Sequence, residues 1–246
     1  MFTQSALKRE DFKKTEDVFN RVMNRDNIAV ACLLRHKTDN YRLIVANAHV
    51  HWDPAFSDVK LVQVAMLMEE LDDLATKWAK RKDDKSPPYS DSTKIPLVIC
   101  GDFNSIPDSG VYEYMSKGTI TSTHADFQSH RYGKFTEIGM SHPFSLRSAY
   151  AQGPGGKELL PFTNYTPGFQ GVIDYIWYTT SALTVEAVME EPEAAYIENV
   201  VGFPDPHFPS EYFSPSFFVP NAVILLFRQN YASKIRPRRT KRKLRR

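Results

Sequence analysis

The sequence predicts a mixed α/β sandwich, and three observations carry that reading. Short apolar runs rich in β-formers alternate with a long helical pattern, as they do where sheets are covered by helices. Two of the runs are separated by only four turn-forming residues, so hairpins are present as well. A purely parallel, doubly wound sheet has no place for such a hairpin. The size, 246 residues with 42% hydrophobic and 13% aromatic content, suits one large domain or two small ones.

The elements follow in order. Residues 27–36 (NIAVACLLRH) and 41–50 (YRLIVANAHV) read as two strands joined at Lys37-Thr38-Asp39-Asn40, the second buried on both faces. Ser57-Asp58 offers an N-cap for a helix running to about Lys82. Its apolar positions Leu61, Val64, Ala65, Met68, Leu71, Ala75 and Trp78 keep helical spacing, so its methionines read as core filling. Residues 83–94 are polar and contain prolines, which predicts a mobile surface loop. The PLVIC strand (96–100) then breaks into GDFNS, and a short helix runs from about Ser109 to Gly118. Residues 119–160 look irregular. Residues 171–180 and 183–190 read as two strands across a tight turn. AVILLF (222–227) is open between a terminal strand and an extension without packing of its own.

Charge is unevenly spread. The last eleven residues, 236–246, hold eight basic and no acidic side chains; removing their +8 from the net +2 leaves residues 1–235 at −6. Such a tail reads as a nuclear address or a nucleic-acid patch, and equally as a solvated run with neither role. Cys32 and Cys100 sit in apolar runs and form no disulfide framework, which predicts core thiols in a reducing compartment. No signal-peptide core and no spanning stretch is visible. The expectation is a soluble protein of the cytoplasm, the nucleus or both, without a membrane partner.

Four turns collect polar residues directly after apolar strands. They hold Asn47, His49, His51, Trp52, Asp53 and Pro54; Asp102 and Asn104; Asn164, Phe169 and Asp174; and His207, Ser210, Glu211 and Tyr212. One Asp or His after a strand is usually a satisfied structural group. Several such turns of one composition favour a shared site. Hard oxygen, imidazole and amide donors without thiolate suit Mg²⁺ or Mn²⁺ better than a closed zinc site. Such an ion polarises a phosphoryl oxygen or acidifies a bound water.

The ordered motifs NAHVHWDP, ICGDFNS, TNYTPGFQGVIDYIWY and FPDPHFPSEY, spread over about residues 15–212, resemble the second half of the endonuclease/exonuclease/phosphatase superfamily. Within it they are most similar to deadenylases of the carbon catabolite repressor type, the poly(A)-shortening nuclease of the Ccr–Not complex. The resemblance implies part of a four-layer α/β/β/α (DNase I-like) sandwich over 1–212, with 213–246 a divergent extension. It implies that Asp102 binds metal and activates the attacking water, and that Asn104 contacts the scissile phosphate. It makes His49 a phosphate contact, Pro54 and Phe169 an adenine clamp, Asn164 a polar contact to RNA, and Asp174 the aspartate that orients a catalytic histidine. His51 and Trp52 fall to packing and surface, and His207 to structure.

The chain also departs from the family pattern. Ala48 stands where the family has Thr, and Ser210-Glu211-Tyr212 stand where it has Ser-Asp-His. A phenol with a pKa near 10 supplies no imidazolium. The family's metal-binding glutamate and an early asparagine belong to an upstream half, and Met1 falls near the middle of the expected fold. The resemblance thus implies a Mg²⁺-dependent 3′→5′ exoribonuclease of poly(A), with this stretch a fragment that is inactive alone. The alternatives are a non-catalytic RNA- or partner-binding relative, and another phosphodiesterase or phosphatase of the superfamily.

Overall fold

The computed structural model describes residues 17–38, 41–80, 89–152, 156–189, 194–203 and 223–227. After a π-helical turn at Val18–Val22 the chain enters β1 (Ala29–Arg35) and β2 (Arg42–His49), the expected antiparallel hairpin. Helix α1 (Ser57–Ala79) crosses over to β3 (Leu97–Asp102), which lies parallel to β2. Helix α2 (Gly110–Lys117) follows, with the Ser109 hydroxyl accepting from the Tyr112 amide. The stretch read as irregular contains β4 (Thr119–Ile120), α3 (Lys134–Glu137), β5 (Met140–Ser141), β6 (Leu146–Ser148), β7 (Ala151–Gln152) and β8 (Lys157–Glu158). The chain then forms a small hairpin of β9 (Asn164–Thr166) and β10 (Phe169–Gly171), followed by β11 (Asp174–Thr179), β12 (Leu183–Val188) and α4 (Ala194–Ile197). Strand β13 (Val223–Phe227) pairs antiparallel with β12, so this part of the AVILLF run is a strand.

The main sheet has the order β1-β2-β3-β11-β6, with β2 and β3 parallel and every other pair antiparallel. A βαβ crossover thus sits beside hairpin pairings, the mixture that the run order predicts. The register puts Ile44, Ala46, Leu97, Ile99, Tyr175 and Trp177 on one face, in a single core with Leu61, Val64, Met68, Leu71 and Ala75 of α1. The expectation that β2 is buried on both faces is corrected. Its inner positions are buried, whereas Leu43 and Val45 on the outer face are half-buried and Asn47 and His49 are exposed. On the same outer face of β1, Val30 is 57% and Leu34 50% exposed. Nothing among the described residues covers this side of the hairpin.

Two local expectations change. Ser57 does not cap α1: the N-cap is Phe56, and no side chain caps it. The Ser57 hydroxyl instead donates to the Asp126 carbonyl at 3.2 Å and accepts from the Gln128 amide at 3.1 Å, so tertiary contacts take the expected capping group. Within the predicted loop 83–94, Ser92–Lys94 form a 3₁₀ turn capped by the Asp91 carboxylate. Residues 83–88 lie outside the described residues, as does most of the extension 213–246 with the basic tail. Both cysteines are free and half-buried on the outer sheet face, and burial pushes the Cys100 thiol up to about 11. No helix among the described residues is long and apolar enough to cross a membrane.

Candidate active site

Strands β2, β3 and β11 end their pairing at one row. His49 is the register partner of Asp102, and Asp102 is the register partner of Asp174. Side chains on one row of a sheet share a face. The Phe103 amide donates to the Ile173 carbonyl at 2.8 Å, which makes Asp102 and Asp174 a non-hydrogen-bonded pair. In such pairs the Cα atoms approach to about 4.5 Å and the side chains lie close. Three residues far apart in sequence thus meet because two strands are parallel and the third returns antiparallel.

Backbone geometry makes the row tight. Gly101 has φ +149°, and a Cβ there would lie 1.9 Å from the Ala48 carbonyl oxygen. Only glycine allows β3 to approach β2 this closely just before Asp102. Past the row, the Val50 amide donates to the Asp102 carbonyl at 3.0 Å. Asn104 adopts a left-handed conformation, φ +45°. Its amide N–H donates to Asp102 Oδ1 at 2.7 Å, and its side-chain Nδ2 donates to the Val50 carbonyl at 3.1 Å. The GDFN stretch is therefore an Asx-type turn as well as a site.

Asp102 is 2% exposed, and its Oδ2 lies 3.7 Å from His49 Nε2. Burial raises its carboxyl above the usual range; the Asn104 N–H and the neighbouring His49 and Lys60 only partly oppose this. The result is a buried, relatively basic oxygen beside a half-exposed imidazole. Asp174 is also buried. Its Oδ2 accepts from the Thr163 hydroxyl at 2.9 Å, and that hydroxyl accepts from the Ile173 and Asp174 amides, each at 3.0 Å.

The remaining expected residues flank this row. Pro54 is exposed on the loop that follows β2. Asn164 and Phe169 lie on the β9–β10 hairpin, which Thr163 fastens to the start of β11. The Phe169 ring is 40% exposed and packs over Gly171, where a Cβ would come within 2.8 Å of it. His51 is buried edge-on against Phe56, whereas Trp52 is 69% exposed. His207 and Ser210-Glu211-Tyr212 lie outside the described residues.

Two residues escaped the sequence reading. Thr163 carries no signal beyond a β-former ahead of Asn164. Lys60 does carry one: it stands on the stripe of Val64, Met68, Leu71 and Ala75 at helical spacing, where a charge is out of place. It is 5% exposed, and its Nζ donates to the Asn104 carbonyl at 2.8 Å.

A family model described as the Endonuclease/Exonuclease/phosphatase family matches residues 38–215. The chain belongs to this family. Among its relatives in the endonuclease/exonuclease/phosphatase family, the "CCR4-Not complex 3'-5'-exoribonuclease subunit Ccr4" of Mycosarcoma maydis is 50% identical over 219 residues, covering 86% of this chain and 32% of that protein. The subunit of the same name in Schizosaccharomyces pombe is 49% identical over 215 residues, covering 84% and 31%. The chain thus spans about a third of the length of the curated relatives it matches. The crystal structure of ANGEL2, described as a 2',3'-cyclic phosphatase, superposes with TM-score 0.59 at 23% identity, over 82% of this chain and 62% of that one. That likeness establishes the DNase I-like fold.

Nucleases of this type are metal-dependent. The donors here suit a hard divalent ion in kind, with the buried Asp102 carboxylate foremost. Among the described residues no group of three or more His, Cys, Asp or Glu side chains gathers as a ligand cluster. A bound ion would therefore draw most of its shell from water, substrate or residues beyond those described, as Mg²⁺ commonly does.

Proposed function

We propose that this chain carries the phosphate-handling part of a Mg²⁺- or Mn²⁺-dependent 3′→5′ exoribonuclease that shortens poly(A), acting with the other subunits of a Ccr–Not assembly in the cytoplasm, the nucleus or both. The observation that carries the reading is the row His49–Asp102–Asp174, closed by the Asn104 turn, in a chain half identical to Ccr4 subunits.

When bound, the ion supplies Lewis-acid stabilisation of a phosphoryl oxygen and lowers the pKa of water. Asp102 is the residue to hold it. By the family resemblance Asp102 also activates the attacking water, and its oxygen Oδ2, beside the half-exposed His49, is placed to take that proton. Asn104 has two amide donors and uses one on Val50, which leaves one for a phosphate oxygen. The half-exposed His49 imidazole faces the same position. Asp174, fixed by Thr163, orients a neighbouring group. An unpaired adenine stacks between Pro54 and Phe169 while Asn164 contacts its polar edge, as single-stranded RNA readers commonly do.

The test is product analysis with labelled oligo(A), abasic DNA and nucleotide phosphates, each with Mg²⁺. The reading expects oligo(A) to be engaged, with release of AMP where turnover occurs, and that response to vanish in Asp102→Ala. Turnover confined to abasic DNA or nucleotide phosphates would overturn it in favour of another phosphodiesterase or phosphatase. Oligo(A) retention without AMP, in the chain and in its longest native form, would leave a non-catalytic RNA-binding relative.

A further inference from the structure

We propose that Lys60 is a positioning residue of this site: its buried ammonium grips the Asn104 carbonyl and holds the left-handed turn that aims the Asn104 amide. The inference rests on the proposed phosphate site for what the turn is aimed at, and on geometry alone for the turn itself.

Lys60 lies in the first turn of α1, where its backbone amide donates to the Phe56 carbonyl at 3.1 Å. Its side chain runs inward, is 5% exposed, and ends with Nζ 2.8 Å from the Asn104 carbonyl oxygen. Among the described residues no carboxylate comes within 4.0 Å of Nζ, although Asp53, Asp126 and Asp102 all act on it electrostatically. A buried ammonium is costly unless its donors are satisfied. Here its acceptor is the backbone carbonyl of Asn104, the non-glycine residue of the site with a positive φ.

Asn104 is held from three sides: its N–H by Asp102 Oδ1, its Nδ2 by the Val50 carbonyl and its C=O by Lys60. The first two bonds hold the amide end and the side chain of Asn104, and Ser105 is tied down by its own hydroxyl on the Phe103 carbonyl and by the Tyr175 hydroxyl on its carbonyl. The third bond is the one that reaches the Asn104 carbonyl itself; it restrains ψ there and so supports a turn whose φ of +45° non-glycine residues seldom adopt. Removing the ammonium would leave that carbonyl without its charged partner and loosen the turn, so that the amide is held less firmly at the Asp102–His49 mouth. The long arm of α1 thereby couples the helix layer to the catalytic edge of the sheet.

The test compares the chain with Lys60→Met, which keeps the arm and removes the head. Amide hydrogen exchange at Asn104 should accelerate by about tenfold or more, while Val64 and Leu71 in α1 stay within about twofold. Oligo(A) affinity with Mg²⁺ should fall about tenfold in Lys60→Met, and the same substitution should add less than about twofold in an Asn104→Gly background, where glycine takes the turn unaided. Unchanged exchange at Asn104, or an equal further loss in the glycine background, overturns the proposal. Should the unsubstituted chain bind no oligo(A), the RNA reading fails, and the exchange at Asn104 still decides the role of Lys60. Should Lys60→Met not fold, slow-exchanging Lys60 ammonium protons with through-bond coupling to the Asn104 carbonyl carbon decide it in the unsubstituted chain. Their absence overturns it.

Discussion

At the scale of single residues, the site is built by groups that satisfy one another before any ligand arrives. Thr163 shows this most economically. One hydroxyl donates to the Asp174 carboxylate and accepts from two backbone amides, all in a buried position. Thr163→Val keeps the shape and removes every one of these bonds. Leaving buried polar groups unsatisfied should cost about 2–3 kcal/mol, read as a lower urea midpoint at unchanged slope. A loss below about 0.5 kcal/mol would mean that water replaces the hydroxyl at no cost. Gly171 acts differently, through the space it leaves for the Phe169 ring. Gly171→Ala puts a methyl where the ring now lies. The flexible ring can move, so stability should change by less than about 1 kcal/mol, while oligo(A) affinity falls toward that of Phe169→Ala, a stacking loss of about 1–3 kcal/mol. Unchanged affinity would detach Phe169 from base binding.

At the scale of elements, α1 is tied down by its buried first turn. Asp58 accepts two hydrogen bonds from Arg21, at 2.7 and 3.0 Å, and a third from the Tyr132 hydroxyl. It thus joins the Val18–Val22 turn, the helix and the segment before α3. Burial raises the Asp58 carboxyl, but the bonds from Arg21 and Tyr132 and the Arg21 charge outweigh it, and the pKa falls below the usual 3.8. The sign follows: the unfolded chain takes up this proton first, so the contribution is complete above 3.8 and is lost as pH falls through the lower folded value. Asp58→Asn should cost about 3 kcal/mol at neutral pH, because it leaves the Arg21 charge poorly matched in a part-buried place. It should also flatten the acid limb of the stability–pH curve; an unchanged limb would mean that other carboxylates set it. The sequence showed α1 plainly, since its stripe and the polar loops around it are local. It misplaced the cap, because whether Ser57 caps the helix or bonds Asp126 and Gln128 depends on chain 70 residues away. β6 was invisible for another reason: three residues are too few to show a period, and only pairing with β11 makes them a strand. The polar residues at the strand ends were legible, and the motifs assigned them to one family. Their meeting in one row was not, since it depends on register between distant strands.

At the scale of the whole molecule, the inner face of the sheet is covered, whereas the outer face is buried at Val98, Ile176 and Tyr178 of β3 and β11 and open along the β1–β2 hairpin. Helices α1 and α2 bury the inner face, whereas Val30 and Leu34 stand exposed on the outer side of the edge strand, beside half-buried Cys32, Leu43 and Val45. An apolar patch on a sheet edge is an association surface. This chain should bind a hydrophobic dye and self-associate with rising concentration, and Val30→Thr with Leu34→Thr should reduce both. A monomer that binds no dye would mean that residues beyond those described cover the face. The same face carries the row at its far end, so whatever completes the sheet also borders the site.

The central claim is that His49, Asp102, Asn104 and Asp174 make one phosphate-handling site, and equilibrium binding of fluorescent oligo(A) with Mg²⁺, comparing the chain with Asp102→Ala, tests it most directly. Saturable binding that weakens by about tenfold or more in Asp102→Ala, with the variant still folded at the assay temperature, is the expected result. Equal affinity for both proteins would contradict it, because RNA would then be held elsewhere on the molecule.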